Sequence, residues 1–245
     1  MLKIQKLYRK DYTGEDIVAS NTLEGGSWKT VTEHVPNNVI NNQISNRAVV
    51  FGNGLHRQHF NPGWVVNRRS GLLAATTLQS YACNAFYRDY TPDFLVVTSR
   101  DIAKEVAGTP FINENIVYTR VDITLEFPKK FYLIPHDLYA DAGTAAIYLA
   151  CFDGHKRVYL VGFDGQDTVD FNYNIYADTN GYGTADSKID STKWAKAQKA
   201  VFDTYTDVDF VHVSETGSQR LPASWKYCPN LRQISYREMV IEADL

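Results

Sequence analysis

Two asparagines stand where apolar runs end, and their side chains are suited to holding a polar ligand. Asn53 lies between Gly52 and Gly54 after the run AVVF, and Asn84 follows the run YAC. An uncharged amide both donates and accepts hydrogen bonds, which matches a sugar hydroxyl or the edge of a pyrimidine base. Because a buried parallel strand that ends in glycine is typical of a ligand-binding loop, we predict that both asparagines line one pocket. The alternative is local: Asn53 tolerates a left-handed turn and Asn84 caps the segment after it.

Further side chains near these positions are suited to binding an anion or moving a proton. Arg57, Arg68, Arg69 and Arg88 carry guanidinium groups, whose fork matches a phosphate or a carboxylate. His136 precedes a predicted helix start with Asp137 beside it, which makes it a candidate for acid–base chemistry. The glycine pattern around Asn53 departs from the dinucleotide-binding fingerprint, because Arg57 stands where the third glycine would be.

The elements that would position these residues alternate between strands and helices. Strand-like RAVVFG, TTLQSYACN, DFLVVTS and ENIVYTR accompany helix-compatible RDIAKEVAG. A helix over DAGTAAIYLACFDGHK then leads into the apolar strand RVYLVGFDG, and a helix over STKWAKAQKAVFDTYT leads into a final strand, VDFVHVS. The alternation predicts an α/β fold, with a Rossmann-like, mostly parallel sheet and helices on both faces.

Two segments differ from this pattern. Residues 1–45 are rich in Asn, Thr, Gly and Ser, which predicts an irregular N-terminal extension with a strand or two. The Rossmann-like domain is then expected over residues 46–245. The segment FNYNIYADTNGYGTADSKID, residues 171–190, contains aromatic residues without a sustained period. Long loops inside compact domains tend to bind ligands, so we predict an aromatic lid over the pocket.

The composition argues against several classes of protein. The chain has 245 residues, a formal net charge of −3 and three cysteines, none in a Cys-x-x-Cys pair. This charge does not support nucleic acid as a partner, and the cysteines suggest neither a disulfide framework nor a zinc site, so no metal ligands are assigned. No window approaches the roughly 18 apolar residues of a membrane span, and the start MLKIQKLYRKDY has no signal-peptide core. We therefore expect a cytoplasmic location.

The order of these motifs resembles a known family. VVFGNG, YACNAFY, AGTAAIYLACFDGHKRVYLVGFD, the polar loop, the Lys-rich helix and a late CPN are similar to the CMP-sialic-acid-dependent sialyltransferases of glycosyltransferase family 42. They also resemble uncharacterised phage-type and marine proteins with the pattern GNG…CNxxYRD…GHKxVYLxGFD. The resemblance spans roughly residues 47–230. It implies a nucleotide-sugar-dependent, sialyltransferase-like glycosyltransferase that acts on glycans and takes a CMP-type donor, in the host-cell cytoplasm if a phage encodes it.

The resemblance also implies roles for individual residues. In these sialyltransferases, two loop asparagines hold the nucleotide and donor, a late strand ends in Gly-x-Asp, and loop tyrosines bind the leaving phosphate. The matching residues here are Gly52, Asn53, Gly54, Asn84, Gly162, Asp164, Tyr176 and Tyr182. The family's catalytic base is a histidine ahead of the Lys-rich helix, where this chain has Asp186 as its nearest titratable residue. Asp186 is therefore the predicted base, and His136 is the alternative from elsewhere in the chain.

Two other functions stay open at this point. One is a non-catalytic module of the same fold that binds a nucleotide or a glycan. The other is a Mg²⁺-dependent, pyrophosphokinase-like enzyme, for which Asp164, Asp167 and Asp170 would have to supply an acidic metal site. Metal-independent binding of CMP favours the transferase or the binding module, and Mg²⁺-dependent nucleotide binding favours the third function.

Overall fold

The computed structural model describes residues 3–8, 17–33, 45–66, 69–70, 75–76, 78–127, 130–134, 140–165 and 169–245. Within them, eight strands form one parallel sheet, and three smaller antiparallel sheets are separate from it. The strands in chain order are β1 (Lys3–Tyr8), β2 (Ile17–Glu24), β3 (Ser27–Glu33), β4 (Arg47–Phe51), β5 (Arg69–Ser70), β6 (Ala75–Thr76), β7 (Gln79–Cys83), β8 (Phe94–Val97), β9 (Ile116–Thr119), β10 (Tyr132–Leu133), β11 (Arg157–Val161), β12 (Val169–Phe171), β13 (Lys188–Asp190), β14 (Asp209–Ser214) and β15 (Leu231–Ser235).

Helices connect most of the parallel strands. In the described part of the chain they are α1 (Arg100–Ala107), α2 (Phe111–Glu114), α3 (Val121–Glu126), α4 (Ala142–Phe152), α5 (Thr192–Thr204) and α6 (Tyr236–Glu242). A parallel pair cannot be joined by a tight turn, so each connection must cross over a face of the sheet. The predicted alternation of strands and helices is therefore confirmed.

The order of the strands reverses once in the large sheet. The sheet runs β10-β9-β8-β7-β4-β11-β14-β15, and its neighbouring strands pair in parallel. The chain steps outward from β4 to β10, then returns to the other side of β4 with β11. In open α/β sheets, ligands bind outside the carboxyl ends of the strands at such a reversal, the topological switch point. The crevice between β4 and β11 is therefore the expected binding place.

Alternate residues of β4 face two different layers. Ala48 and Val50 pack into a core that also contains residues of α4 and α5. Val49 and Phe51 pack into a second core with residues of α1 and α6. A strand buried on both faces is apolar throughout, as the run AVVF is. The prediction of a parallel sheet with helices on both faces is confirmed.

Side-chain caps fix where two of these helices begin. Ser99 Oγ accepts a hydrogen bond from the N–H of Ile102 at the start of α1, at 3.5 Å. Asp141 Oδ1 accepts one from the N–H of Thr144 at the start of α4, at 3.0 Å. Such bonds satisfy backbone donors that a helix leaves unpaired in its first turn.

The chain differs from the sequence expectations at both ends. VDFVHVS forms β14, but it is not the final strand, because β15 and α6 follow it. The apolar pattern of β15 is weak because β15 is an edge strand of the sheet. Its Arg232 forms ion pairs with Asp209 at 3.2 Å and with Glu242 at 2.6 Å. The N-terminal region contains three strands where one or two are expected, and β1–β3 form their own antiparallel sheet. The domain boundary at residue 45 stays a prediction.

The ends of β4 and β11 approach so closely that side chains do not fit between them. Gly52 N donates to Val161 O at 2.8 Å, and Gly54 N donates to Gly162 O at 2.9 Å. A Cβ on Gly52 would overlap the carbonyl of Gly162. Gly162 has a φ of +79°, and a Cβ there would lie 2.9 Å from Gly52 O. Both glycines are thus required by the backbone, whatever ligand binds beside them.

We expect Gly52→Ala to lower the free energy of unfolding by about 3 kcal/mol, because the new methyl group meets backbone that cannot rotate away. Gly108→Ala is the matched control: Gly108 ends α1 with a φ of −88°, and the nearest atom to an added Cβ lies at 3.4 Å. It should change stability by less than about 1 kcal/mol. Urea denaturation with unchanged m-values measures both. Equal stabilities of the two variants would contradict the steric argument.

Candidate functional site

A pocket of about 320 Å³ opens at the switch point. Its floor comes from the carboxyl ends of β4, β7 and β11 and from the start of α4, and the long loop and α5 supply the walls. This volume lies at the lower end of the range for small-molecule sites, roughly 300–1,000 Å³. The lining comprises residues 52–54, 83–84, 141–143, 162–165, 170–174 and 181–183 with Ile189, Ser191, Trp194, Ala195 and Gln198.

Asn53 lies on the floor of the pocket with its carbonyl oxygen unpaired. The residue is only 7% exposed. Its Nδ2 donates to Cys83 O at 3.0 Å and to the hydroxyl of Tyr182 at 2.9 Å. The bond to a backbone carbonyl fixes which end of the amide is the nitrogen. No described residue pairs with Asn53 Oδ1. A buried acceptor without a partner is costly, so this oxygen favours a ligand that brings a hydrogen-bond donor.

Tyr182 ties the long loop to the floor of the pocket. Its hydroxyl accepts from Asn53 Nδ2 at 2.9 Å and from the N–H of Ala85 at 3.3 Å. Both lone pairs are then used, which leaves the O–H to donate to a ligand. Burial raises the pKa of Tyr182 well above its usual value, so the hydroxyl keeps its proton at neutral pH.

Asn84 lines the same pocket and also holds the local backbone. Its Oδ1 accepts from the N–H of Thr98 at 3.1 Å and of Ser99 at 3.4 Å, which joins the end of β7 to the start of α1. Asn84 Oδ1 therefore holds backbone beyond the next strand and does not cap the turn that directly follows it, while the described residues supply no acceptor for Nδ2. Asn84 has a left-handed φ of 48°, and Asn53 does not have a positive φ. The left-handed alternative for Asn53 is therefore wrong.

Three carboxylates line the pocket. Asp164 Oδ2 accepts from the N–H of His56 at 2.8 Å and lies 3.2 Å from His56 Nδ1. Asp141 caps α4 and also accepts from Thr144 Oγ1 at 2.5 Å, and burial raises its pKa. Asp170 Oδ1 accepts from the N–H of the next residue at 2.8 Å. Among the described residues, no Lys, Arg or His side chain joins them in the lining.

Two of the four arginines proposed as anion partners, Arg57 and Arg88, lie elsewhere, and the side chains of Arg68 and Arg69 are outside the described part of the chain. Arg57 is 3% exposed, lies 4.5 Å above the ring of Phe86, and donates to the hydroxyl of Tyr176 at 3.2 Å. Arg88 forms an ion pair with Glu105 at 2.6 Å. Both guanidinium groups therefore serve structural contacts outside the pocket lining.

The predicted site residues divide into two groups. Those brought together in the lining are Gly52, Asn53, Gly54, Asn84, Gly162, Asp164 and Tyr182. Tyr176 is buried outside the lining, and its hydroxyl donates to Asp89 at 2.7 Å. Asp186 is exposed and also outside the lining. His136 lies outside the described residues. Nucleotide binding by the predicted residues in the pocket lining stays a prediction.

Sequence reasoning missed the contribution of two helices. Asp141 at the start of α4, with Trp194 and Gln198 on α5, lines the pocket. Asp141 was detectable as a capping residue before an apolar helix. Trp194 and Gln198 are four residues apart on a predicted helix, so they share one face of it, but nothing local shows that this face meets the pocket.

The described residues also bear on a membrane and on a metal ion as partners. No helix there is both long enough and apolar enough to cross a membrane. Within the same residues, no three His, Cys, Asp or Glu side chains are grouped to hold a metal ion. Asp167, one member of the acidic set considered from sequence, lies outside them.

The fold and the pocket define a Rossmann-like α/β protein with a pocket at its switch point. Among solved structures, the chain is similar to a single-residue variant of the sialyltransferase CST-II in complex with CMP, with 12% identity, a TM-score of 0.46, and coverage of 76% of this chain and 88% of that one. It is also similar to CstII from Campylobacter jejuni in complex with CMP-3FNeuAc, with 13% identity, a TM-score of 0.44, and coverage of 77% and 87%. No family model and no curated protein matches the sequence. Identities this low do not indicate which ligand the pocket takes.

We expect Tyr182→Phe to loosen the loop, because it removes the acceptor of two hydrogen bonds. Amide exchange in residues 174–183 should accelerate about fivefold, which corresponds to about 1 kcal/mol, while exchange in β4 and β11 stays unchanged. Tyr173→Phe is the matched control, since Tyr173 is in the same loop and the described residues give its hydroxyl no partner. Hydrogen exchange by mass spectrometry measures both. Equal protection in the two variants would show that Tyr182 does not hold the loop.

Proposed function

We propose that the pocket binds a nucleotide or nucleotide-sugar and that the protein is a sialyltransferase-like glycosyltransferase. The observation that carries the proposal is the buried, unpaired Oδ1 of Asn53 on the floor of a pocket at the switch point. That oxygen accepts a donor such as a ribose hydroxyl or the amino group of cytosine. The motif resemblance, which covers most of the chain, points to the same class of ligand.

The charges of the lining favour a monophosphate donor over a diphosphate donor. Three carboxylates and no basic side chain of the described residues line the pocket. A diphosphate brings more negative charge next to those carboxylates, and proteins usually offset such charge with Mg²⁺ or with Arg and Lys. A CMP-type donor has a single phosphate, to which the free O–H of Tyr182 can donate.

A non-catalytic binding module is the second candidate, and the position of Asp186 favours it. The side chain of Asp186 is exposed and is not among the residues that line the pocket. A base must lie within hydrogen-bond reach of the proton that it removes. The Mg²⁺-dependent function keeps one supporting observation, because Asp164 and Asp170 both line the pocket.

Calorimetry with CMP, CDP, UDP, GDP and ATP, each with and without Mg²⁺, tests the ligand class. We expect CMP to bind without metal, and Asn53→Ala to weaken it about 3- to 10-fold through the loss of one hydrogen bond. Asn113→Ala, on the exposed face of α2, is the control and should bind as the wild type does. If no nucleotide binds, or if both variants bind equally, the proposal fails. Binding that requires Mg²⁺ would instead support the pyrophosphokinase-like function.

Turnover of a CMP-sugar separates the transferase from the binding module. We expect Asp186→Asn to keep full activity because the side chain lies outside the pocket, and His136→Ala to lose about 10²- to 10⁴-fold in turnover if His136 is the base. Donor hydrolysis and transfer are measured for both variants and for the wild type. A wild-type protein that binds CMP but turns over no donor is the binding module. Loss of activity in Asp186→Asn would show that the loop reaches the donor.

A further inference from the structure

The pocket lining offers several hydrogen-bond acceptors. Asn53 Oδ1 is buried, and none of the described residues pairs with it. The carboxylates of Asp141, Asp164 and Asp170 lie in the same lining, in which the described residues include no Lys, Arg or His. The unpaired Asn53 oxygen indicates that a ligand completes this site, because a buried acceptor without a partner is costly. The carboxylates favour a ligand that brings positive charge to them.

Asp164 is the carboxylate that the fold brings to the asparagine loop. A Cβ on Gly54, the residue after Asn53, would overlap the carboxylate of Asp164. The Asp164 side chain is only 8% exposed, and its Oδ2 accepts from the N–H of His56 and lies 3.2 Å from His56 Nδ1. His56 itself is outside the pocket lining, and its side chain is 53% exposed. Water screens a buried charge only weakly, so Asp164 attracts a cation in the pocket more strongly than a surface carboxylate does.

The start of α4 is a second reason why an anionic sugar is disfavoured. Ala142 and Gly143, in the first turn of the helix, line the pocket, and the N–H groups of a helix start normally attract anions. Asp141 places its own carboxylate there, with Oδ1 accepting from the N–H of Thr144 at 3.0 Å. A carboxylate on the ligand would have to displace that side chain, whereas a group that donates hydrogen bonds meets one more acceptor.

A protonated amine matches these acceptors best. It carries a positive charge and three N–H donors, and it has no acceptor that needs a donor from the lining. A neutral hydroxyl also donates to a carboxylate, but it lacks the Coulomb attraction between opposite charges. The amine also offsets the negative charge of a phosphate on the same ligand, which the acidic lining otherwise disfavours. A divalent cation is less suited, because the described residues contain no group of three His, Cys, Asp or Glu side chains that could hold a metal ion.

We infer that the ligand of this pocket is a nucleotide-linked amino sugar, whose protonated amine binds beside Asp164. The inference rests on the proposed function, because it names the sugar that the nucleotide carries. The nucleotide donates to Asn53 Oδ1 and its phosphate accepts from the O–H of Tyr182, so the amine binds through a different residue. Asp164 therefore selects the sugar, and it disfavours sugars that carry a carboxylate.

Calorimetry with sugar phosphates of nearly equal shape tests the inference, at a slightly acidic pH at which the amines are protonated. Glucosamine 1-phosphate is compared with glucose 1-phosphate, and galactosamine 1-phosphate with galactose 1-phosphate, so that an amine replaces one hydroxyl in each pair. At least one amino sugar should bind at least about tenfold more tightly than its partner, because only the amine is charged oppositely to Asp164. Glucuronic acid 1-phosphate should bind more weakly than glucose 1-phosphate. Equal affinities within both pairs, no binding of either amino sugar, or tighter binding of the glucuronic acid overturns the inference.

Variants identify the carboxylate that binds the amine. Asp164→Asn keeps an oxygen that can accept from the N–H of His56 but removes the charge, so the preference for the amino sugar should fall to at most about twofold. Asp203→Asn is the matched control, since Asp203 is an exposed carboxylate outside the pocket lining, and it should keep the full preference. If Asp164→Asn does not fold, Asp170→Asn removes another charge from the lining and should lower the preference at least about twofold. An unchanged preference in the variant that folds overturns the inference.

CMP binding distinguishes this inference from the proposed function. CMP carries no protonated amine, so Asp164→Asn should leave the affinity for CMP within about threefold of the wild type or raise it. If Asp164→Asn weakens CMP as much as it weakens the amino sugar phosphate, Asp164 supports the floor of the pocket and the inference is rejected. CMP binding without a preference for an amine removes the inference alone. A preference for an amine without binding of any nucleotide removes the proposed function, and the amine site then belongs to a sugar phosphate.

Discussion

The contact between the backbones of Gly52 and Gly162 is the constraint on which the site depends. β4 and β11 are paired in parallel up to Phe51 and Val161, and at the next residue the two chains still touch through main-chain hydrogen bonds. No Cβ separates the two backbones at these glycines. The loops that leave the two strands therefore diverge only beyond Gly54. Asp164 lies so close to Gly54 that a side chain there would overlap its carboxylate. The crevice between the loops is the pocket.

The long loop is held over this crevice by contacts that need no ligand. Beneath it, Tyr176 links the buried guanidinium of Arg57 to Asp89. At its tip, Arg88 donates to Thr179 Oγ1 at 2.8 Å and to Asn180 O at 2.9 Å. These contacts hold the loop in place, and a loop that is already held lowers the free-energy cost of ordering it around a ligand. This also explains why the predicted ligand residue Tyr176 is in the core: the loop needs an anchor beside the buried cation.

Much of the fold is predictable from the sequence, because apolar runs and capping residues are local signals. The positions of Asn53 and Asn84 are predictable for the same reason, since each follows a strand and β4 and β7 are neighbours. The partners of Arg57 are not predictable: the bond to Tyr176 joins residues 119 positions apart. The placement of Asp186 depends on how the loop closes, which its polar sequence does not encode locally. The face of α5 that meets the pocket depends on packing against α4.

The start of α4 illustrates how one side chain changes what the pocket can bind. A helix N-terminus attracts a phosphate through its unpaired N–H groups, and Ala142 and Gly143 at this terminus line the pocket. Here the carboxylate of Asp141 already accepts the N–H of Thr144, so it competes with any phosphate for the same donors. Burial raises the pKa of Asp141, and its hydrogen bonds to this helix start act against that shift. A phosphate that binds at the start of α4 must therefore displace the carboxylate of Asp141 from the N–H of Thr144. The O–H of Tyr182 has no such competitor among the described residues, and so the lid, rather than the helix, is the better partner for a phosphate.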